Sequence, residues 1–211
     1  MNIVLVRHGE TDWNLNGRHM GQKDIPLNDK GRVQAKILRD KLAGMSFDCC
    51  FSSPLSRAKE TADIICKDRC DVICDDDLKE RFGGELEGMI FDNWGDYINN
   101  KTTETDEEIL DRARKFLKKL KNTNYQRVLV VSHNGLLKNL RFCILGEKGE
   151  FDYSVGNIAN CEYEEYEIKI QEDEIEKAEW IRNDEAGKYF DGYYSDAWKE
   201  LLDRLNNSKI L

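Results

Sequence analysis

Ile3-Val4-Leu5-Val6-Arg7-His8-Gly9-Glu10-Thr11 decides how this chain is read. Its apolar, mostly β-branched start predicts a buried strand. That strand delivers a guanidinium and an imidazole to its C-terminal end, the edge where open α/β sheets place ligands. Arginine beside histidine suits an anion, and phosphate is the commonest biological one. His8 is the candidate nucleophile, because a neutral imidazole attacks phosphorus and carries the phosphoryl group covalently. Arg7 leaves the other side of the pleat and reaches a phosphate only if the chain turns at Gly9. Without a Cβ, Gly9 also permits close backbone approach to a ligand.

The arrangement recurs. Val128-Leu129-Val130-Val131-Ser132 predicts a second strand ending at His133, and Asn134-Gly135 turns into a helix whose free amides favour an anion. A lone histidine after a strand is more often structural, but here two of only three histidines stand at equivalent strand ends. His133 is suited to stabilise transferring phosphoryl oxygens. In Phe51-Ser52-Ser53-Pro54-Leu55-Ser56-Arg57-Ala58, the arginine falls on the first turn of a helix. A cation there opposes the macrodipole, and a bound anion compensates. The leaving oxygen needs a proton. Glu10, Glu80, Glu85 and Glu87 compete for that role, and of these only Glu80 ends a strand-like approach.

Strand patterns at 2–7, 48–52, 71–74 and 127–132 and a longer one at 158–170 alternate with helical patterns at 31–42, 54–67, 105–121 and 136–145. Ser53 is the expected N-cap of the second helix, with Pro54 in its first position. Thr105-x-x-Glu108 is a capping box for the third. The alternation predicts an α/β fold, a three-layer sandwich with a mostly parallel central sheet and helices on both faces. The Gly-rich, aromatic stretch 80–100 reads as a loop over the sheet edge. Residues 171–211 open with an acidic run and close on an amphipathic pattern at 195–205, and read as a helical extension packed on the same domain.

The 211 residues suit one large domain, or one domain with a lid. A net charge of −9 is opposite to that of a duplex-binding protein, so no nucleic-acid partner is expected and an anion site must be a local basic pocket. The chain has neither an apolar run of the roughly 20 residues a membrane span needs nor a signal-peptide pattern, so it is expected in the cytoplasm. Seven cysteines form no Cys-x-x-Cys pair. Cys66, Cys70 and Cys74 are spaced by four, but a strand-like 71–74 keeps them off one helical face. Free thiols in a reducing compartment are expected, and no metal.

With these residues in view, the chain resembles the histidine phosphatase superfamily, in the branch of phosphoglycerate mutase-like enzymes. The resemblance covers residues 1–165. It runs through Leu5-Val6-Arg7-His8-Gly9-Glu10-Thr11-Asp12-Trp13-Asn14, Gly17-Arg18, Gly21, Asp24-Ile25-Pro26-Leu27, Gly31, Gln34-Ala35, Ser52 to Ala58 with Thr61-Ala62, Leu78-x-Glu80, and Val131 to Gly135. It implies a phosphatase domain over 1–170 with an insertion at 81–105. It also implies His8 as phosphorylated nucleophile, Glu80 as proton donor, and Arg7, Arg57 and His133 as the phosphate pocket. Asn14, Gly21 and Asn134 are expected to touch substrate, and neither metal nor cofactor is implied.

The departures from the family pattern are Met20, where relatives carry a polar residue, and Gly83, where they carry a bulky one. No paired arginines suited to a second phosphate follow Glu80, because Arg112 and Arg114 fall in a helix pattern and read as solvated. The expected activity is therefore hydrolysis of a small phosphate ester. The alternatives are a phosphoglycerate mutase or a non-catalytic phospho-ligand binder. A dinucleotide-binding fold is excluded, since no Gly-x-Gly-x-x-Gly follows the first strand.

Overall fold

The computed structural model describes residues 1–90, 100–145, 157–171 and 174–181. Part of the 80–100 loop and the amphipathic pattern at 195–205 lie outside them. Six strands form one sheet in the order β3-β2-β4-β1-β5-β6, with β1 Asn2–Arg7, β2 Cys49–Ser52, β3 Val72–Cys74, β4 Arg127–Ser132, β5 Tyr163–Gln171 and β6 Glu174–Ile181. The first four are mutually parallel, and β5 and β6 add an antiparallel hairpin. Among the described residues there are five α-helices: α1 Asp12–Leu15, α2 Asp29–Lys41, α3 Ser56–Cys66, α4 Asp106–Lys121 and α5 Asn134–Ile144.

The pleat of the two central strands divides the core. Ile3, Leu5, Val128 and Val130 face a layer that includes Ile109, Phe116 and Leu120 of α4 and Leu136 and Leu140 of α5. Val4, Val6, Leu129 and Val131 face Leu38 of α2 and Ala58, Ala62 and Ile65 of α3. Continuous apolar runs suit strands covered on both faces, as parallel strands between helix layers are. The register pairs Arg7 with Ser132, so β1 and β4 end side by side and present His8 and His133 together.

Four local expectations are corrected. Helix α3 begins at Ser56, with Leu55 in the N-cap position and no side-chain cap. Ser53 does not cap it, and Asp24 from a distant loop accepts the Ser56 amide at 2.6 Å instead. The strand expected from 158 begins at Tyr163, because residues 157–162 form a turn over the end of β1. There Cys161 adopts φ +56° and its amide donates to the Arg7 carbonyl. The acidic run expected to open a helical extension contributes to strand β6. Gly9 does serve a close approach, but to protein: a Cβ there would lie 2.6 Å from the Gly31 carbonyl oxygen on α2. The capping box of α4 forms as its sequence predicts. Among the described residues, no helix is long and apolar enough to cross a membrane.

Candidate active site

The two histidines stand at the C-terminal ends of neighbouring parallel strands, their ring centroids 5.1 Å apart. His8 is 2% exposed and His133 is fully buried. The His8 main chain is held at both ends: its amide donates to the Ser132 carbonyl and its carbonyl accepts from Asn160 Nδ2 at 2.9 Å. Its Nδ1 lies 2.7 Å from the Gly9 carbonyl. A carbonyl only accepts, so Nδ1 carries the proton and Nε2 keeps a free lone pair. Burial, with Arg57 and Arg7 nearby, holds the His8 pKa well below the usual imidazole value. The ring is therefore neutral at neutral pH.

His133 is the complementary tautomer. Arg57 Nε donates to its Nδ1 at 3.2 Å, which leaves the proton on Nε2, 2.8 Å from Ser53 Oγ. Burial first, then Arg57 and His8, push its pKa well below the ordinary value. His133 thus carries an N–H on Nε2, directed at Ser53 Oγ, where His8 keeps a lone pair.

Arg57 is the largest fully buried side chain among the described residues. Its terminal nitrogens donate to the carbonyls of Lys23 at 2.7 Å and Gly21 at 2.8 Å. A Gly21 φ of +51°, in the left-handed region that favours glycine, orients the loop that supplies these acceptors. Burial lowers the Arg57 pKa to about 10, which leaves it charged at neutral pH, and Glu80 is the foremost group acting against that shift. Arg7 donates to the Ile158 carbonyl at 2.8 Å, and its buried Nε has no hydrogen-bond partner. Burial lowers its pKa as well, again opposed first by Glu80. Two buried guanidiniums that share the single carboxylate of Glu80 carry charge enough for a dianion.

The Glu80 carboxylate is fixed by backbone amides: Oε1 accepts from Arg81 at 2.8 Å and Oε2 from Gly135 at 3.3 Å. Gly135 in turn leaves room for it, since a Cβ at that position would lie 2.5 Å from Glu80 Oε1. The four competing glutamates are now distinguished. Glu10 pairs with Lys30 and Asn28. Glu87 Oε1 accepts the amides of Gln22 and Gly83, tying two loops together. Glu85 is exposed on the single turn Gly84–Leu86.

The structure therefore brings His8, His133, Arg7, Arg57 and Glu80 into one cluster. Asn14 closes a capping box with Thr11, and its Oδ1 lies 3.5 Å from Asn160 Nδ2. Asn134 is engaged by protein: its Nδ2 donates to Asn157 and its Oδ1 accepts the Ile158 amide. It thereby steadies the turn whose Ile158 carbonyl holds Arg7. Met20 is buried, with its sulfur 3.2 Å from Thr11 Oγ1.

Several supporting residues escaped the sequence reading. Ser53 meets His133, Thr61 Oγ1 accepts the Gly9 amide at 3.0 Å, and Asn160 holds His8. Arg112, expected to be solvated, is largely buried and paired with Glu104. Its position three residues after Ile109 and four before Phe116 places it beside the buried stripe of α4, a signal the sequence did carry. Arg114 is partly exposed and pairs with Glu107 and Asp111.

Comparison with known proteins points the same way. The family model described as histidine phosphatase superfamily (branch 1) matches residues 3–181. A Bacillus subtilis protein, "Uncharacterized phosphatase PhoE", is 36% identical over 179 residues, spanning 81% of this chain and 92% of its own length. An Arabidopsis thaliana "Metal-independent phosphoserine phosphatase" is 36% identical over 156 residues, 64% of this chain and 65% of its own. The crystal structure of an alpha-ribazole phosphatase from Shigella flexneri superposes with a TM-score of 0.73 at 26% identity, covering 86% of this chain and 95% of that one.

Proposed function

Because this chain belongs to the histidine phosphatase superfamily (branch 1) and is a phosphatase of that family, we propose that it hydrolyses small phosphate monoesters through a phosphohistidine at His8, without a metal ion. His8 Nε2 attacks phosphorus in line as the P–O bond to the alcohol breaks, and Glu80 gives its proton to the departing oxygen. Glu80 then takes a proton from water, which attacks the phosphohistidine. The P–N bond breaks and inorganic phosphate leaves.

Arg7, Arg57 and the Nε2–H of His133, which exchanges Ser53 Oγ for a phosphoryl oxygen, hold the equatorial oxygens through both steps. They are aligned before charge redistributes, so little reorganisation is required. Asn14 and the Gly21 loop border the phosphate, and Asn134 acts through the turn that anchors Arg7.

The observation that carries this reading is the pairing of opposite tautomers. The Gly9 carbonyl leaves His8 with a lone pair at Nε2, while Arg57 leaves His133 with an N–H. Hydrolysis is favoured over mutase chemistry because Arg112 is committed to Glu104 and Arg114 to its own helix, so neither serves as a second phosphate anchor.

The test is turnover of 4-nitrophenyl phosphate with a chelator present, together with labelling by a radioactive phosphoryl donor. The wild type is expected to turn over and to form an acid-labile phosphoprotein. His8→Ala should lose both, with turnover down by about 10^4-fold or more. Ordinary activity in His8→Ala would overturn the nucleophile assignment. Interconversion of 2- and 3-phosphoglycerate with negligible hydrolysis would establish the mutase instead, and tight phosphate binding without any turnover a binder.

A further inference from the structure

We propose that Arg112 is the positioning residue for Glu80, an assignment that rests on Glu80 as the proton donor. Arg112 projects from α4 against the segment that carries Glu80. Its Nη1 donates to the main-chain carbonyls of Asp77 at 3.0 Å and Lys79 at 2.8 Å, and its Nη2 reaches the Glu80 carbonyl at 3.3 Å. Three carbonyls spanning four residues are thus gathered on one guanidinium.

The other edge of the fork forms a two-point pair with Glu104: Nε to Oε1 at 2.6 Å and Nη2 to Oε2 at 2.7 Å. Bidentate pairing fixes orientation as well as distance. Glu104 then grips the chain just beyond Glu80. Its Oε2 accepts the Phe82 amide at 3.0 Å, its carbonyl accepts Arg81 Nε at 2.7 Å, and its amide donates to the Phe82 carbonyl. Arg81 also bridges to Asp106, in the first turn of α4. The chain on both sides of Glu80 is therefore bound to α4 and the residues leading into it, while the Glu80 carbonyl also accepts Gln22 Nε2 at 2.9 Å.

This clamp matters because the Glu80 carboxylate is anchored by backbone amides alone, one of them on the adjoining Arg81. Its two oxygens accept one amide each, and the Gly135 bond is long at 3.3 Å. The carboxylate is placed by the main chain beneath it. Only a planar fork can bind two carboxylate oxygens and three carbonyls at once, so lysine is no substitute.

The experiment compares Arg112→Met, Arg112→Lys, Glu104→Gln and Glu80→Gln on two esters: β-glycerophosphate, whose alkoxide needs protonation, and 4-nitrophenyl phosphate, whose leaving group needs it far less. Arg112→Met is expected to lower kcat for the alkyl ester by about 30-fold and for the aryl ester by less than about 3-fold, with KM little changed. Arg112→Lys should recover only part of the loss. In a Glu80→Gln background, Arg112→Met should cause no further selective loss, since the group it positions is gone.

Equal slowing of both esters by Arg112→Met, while Glu80→Gln remains selective, would overturn the positioning role and leave the proton donor intact. Equal slowing of both esters by Glu80→Gln would overturn the proton-donor assignment and the clamp with it. If Arg112→Met fails to fold, Glu104→Gln decides. It keeps the shape of the site but weakens the fork, and should show a smaller loss with the same selectivity. A loss without selectivity there would refute the proposal.

Discussion

Gly135→Ala should separate activity from stability. Gly135 lies in the first turn of α5, where alanine is acceptable to the backbone. Such a change usually stabilises by about 0.4–1 kcal/mol, because it narrows the unfolded ensemble. The new methyl, however, would lie 2.5 Å from Glu80 Oε1, about 0.9 Å inside the 3.4 Å at which ordinary contact begins. The neighbour that must yield is a carboxylate at the end of a flexible side chain, so the fold is not strained. The carboxylate moves instead and gives up the Gly135 amide. A displacement of about 1 Å in a reacting group costs on the order of 10^2-fold in rate. The assay is kcat for β-glycerophosphate beside 4-nitrophenyl phosphate, with a thermal melt of the same samples. The expected result is an approximately 10^2-fold loss on the alkyl ester, a smaller loss on the aryl ester, and a melting temperature equal to or above that of the wild type. Unchanged alkyl-ester turnover would refute the argument that this glycine makes room for a Glu80 carboxylate that donates the proton. A lowered melting temperature with equal losses on both esters would show the effect to be a packing fault.

Asp24→Ala removes the carboxylate that receives the Ser56 amide, and should cost about 1 kcal/mol of stability, as loss of an N-cap does. Because Asp24 adjoins the Lys23 carbonyl that holds Arg57, KM for phosphate esters should rise in steady-state assays. Unchanged values of both would refute this role for the loop. Stability should also fall with pH in a defined window. The pKa values of His8 and His133 lie well below their unfolded value of about 6.5, so below that pH the unfolded chain binds more protons than the folded one. The stabilising effect of keeping both rings neutral is fully present above about pH 6.5. It declines as pH drops toward the folded values, by up to about 1.4 kcal/mol per pH unit for each ring. Glu162, whose pKa burial raises, works in the opposite sense. Denaturant midpoints at pH 7.5, 6.5 and 5.5 check this, and a flat profile below pH 6.5 would contradict it.

The local periodicities were reliable where the physics is local. The apolar run of β1 lies between two helix layers, and Thr105 and Glu108 close their capping box within a single turn. Ser53 shows where local reasoning fails. As a Ser-Pro pair before a helical pattern it looked like an N-cap, yet the helix starts three residues later and the hydroxyl meets His133, 80 residues on. The 157–162 segment failed for a related reason. Ile158 is buried like a strand residue, but Asn157 and Asn160 use their side chains to tie Asn134 and His8 into the site.

From the sequence alone came the nature of the chemistry: two strand-end histidines, two arginines and a glutamate, side chains whose reactivity follows from residue type. The apolar runs also sufficed for the layers, since β1 and β4 are buried almost without a break, as strands covered on both faces are. Only the tertiary structure decided which ring nitrogen carries the proton, which of four carboxylates acts on both buried guanidiniums, and that Arg112 braces the segment bearing it. Each of these depends on a hydrogen-bond partner far away in the chain or on a backbone carbonyl whose direction no pattern of side chains encodes.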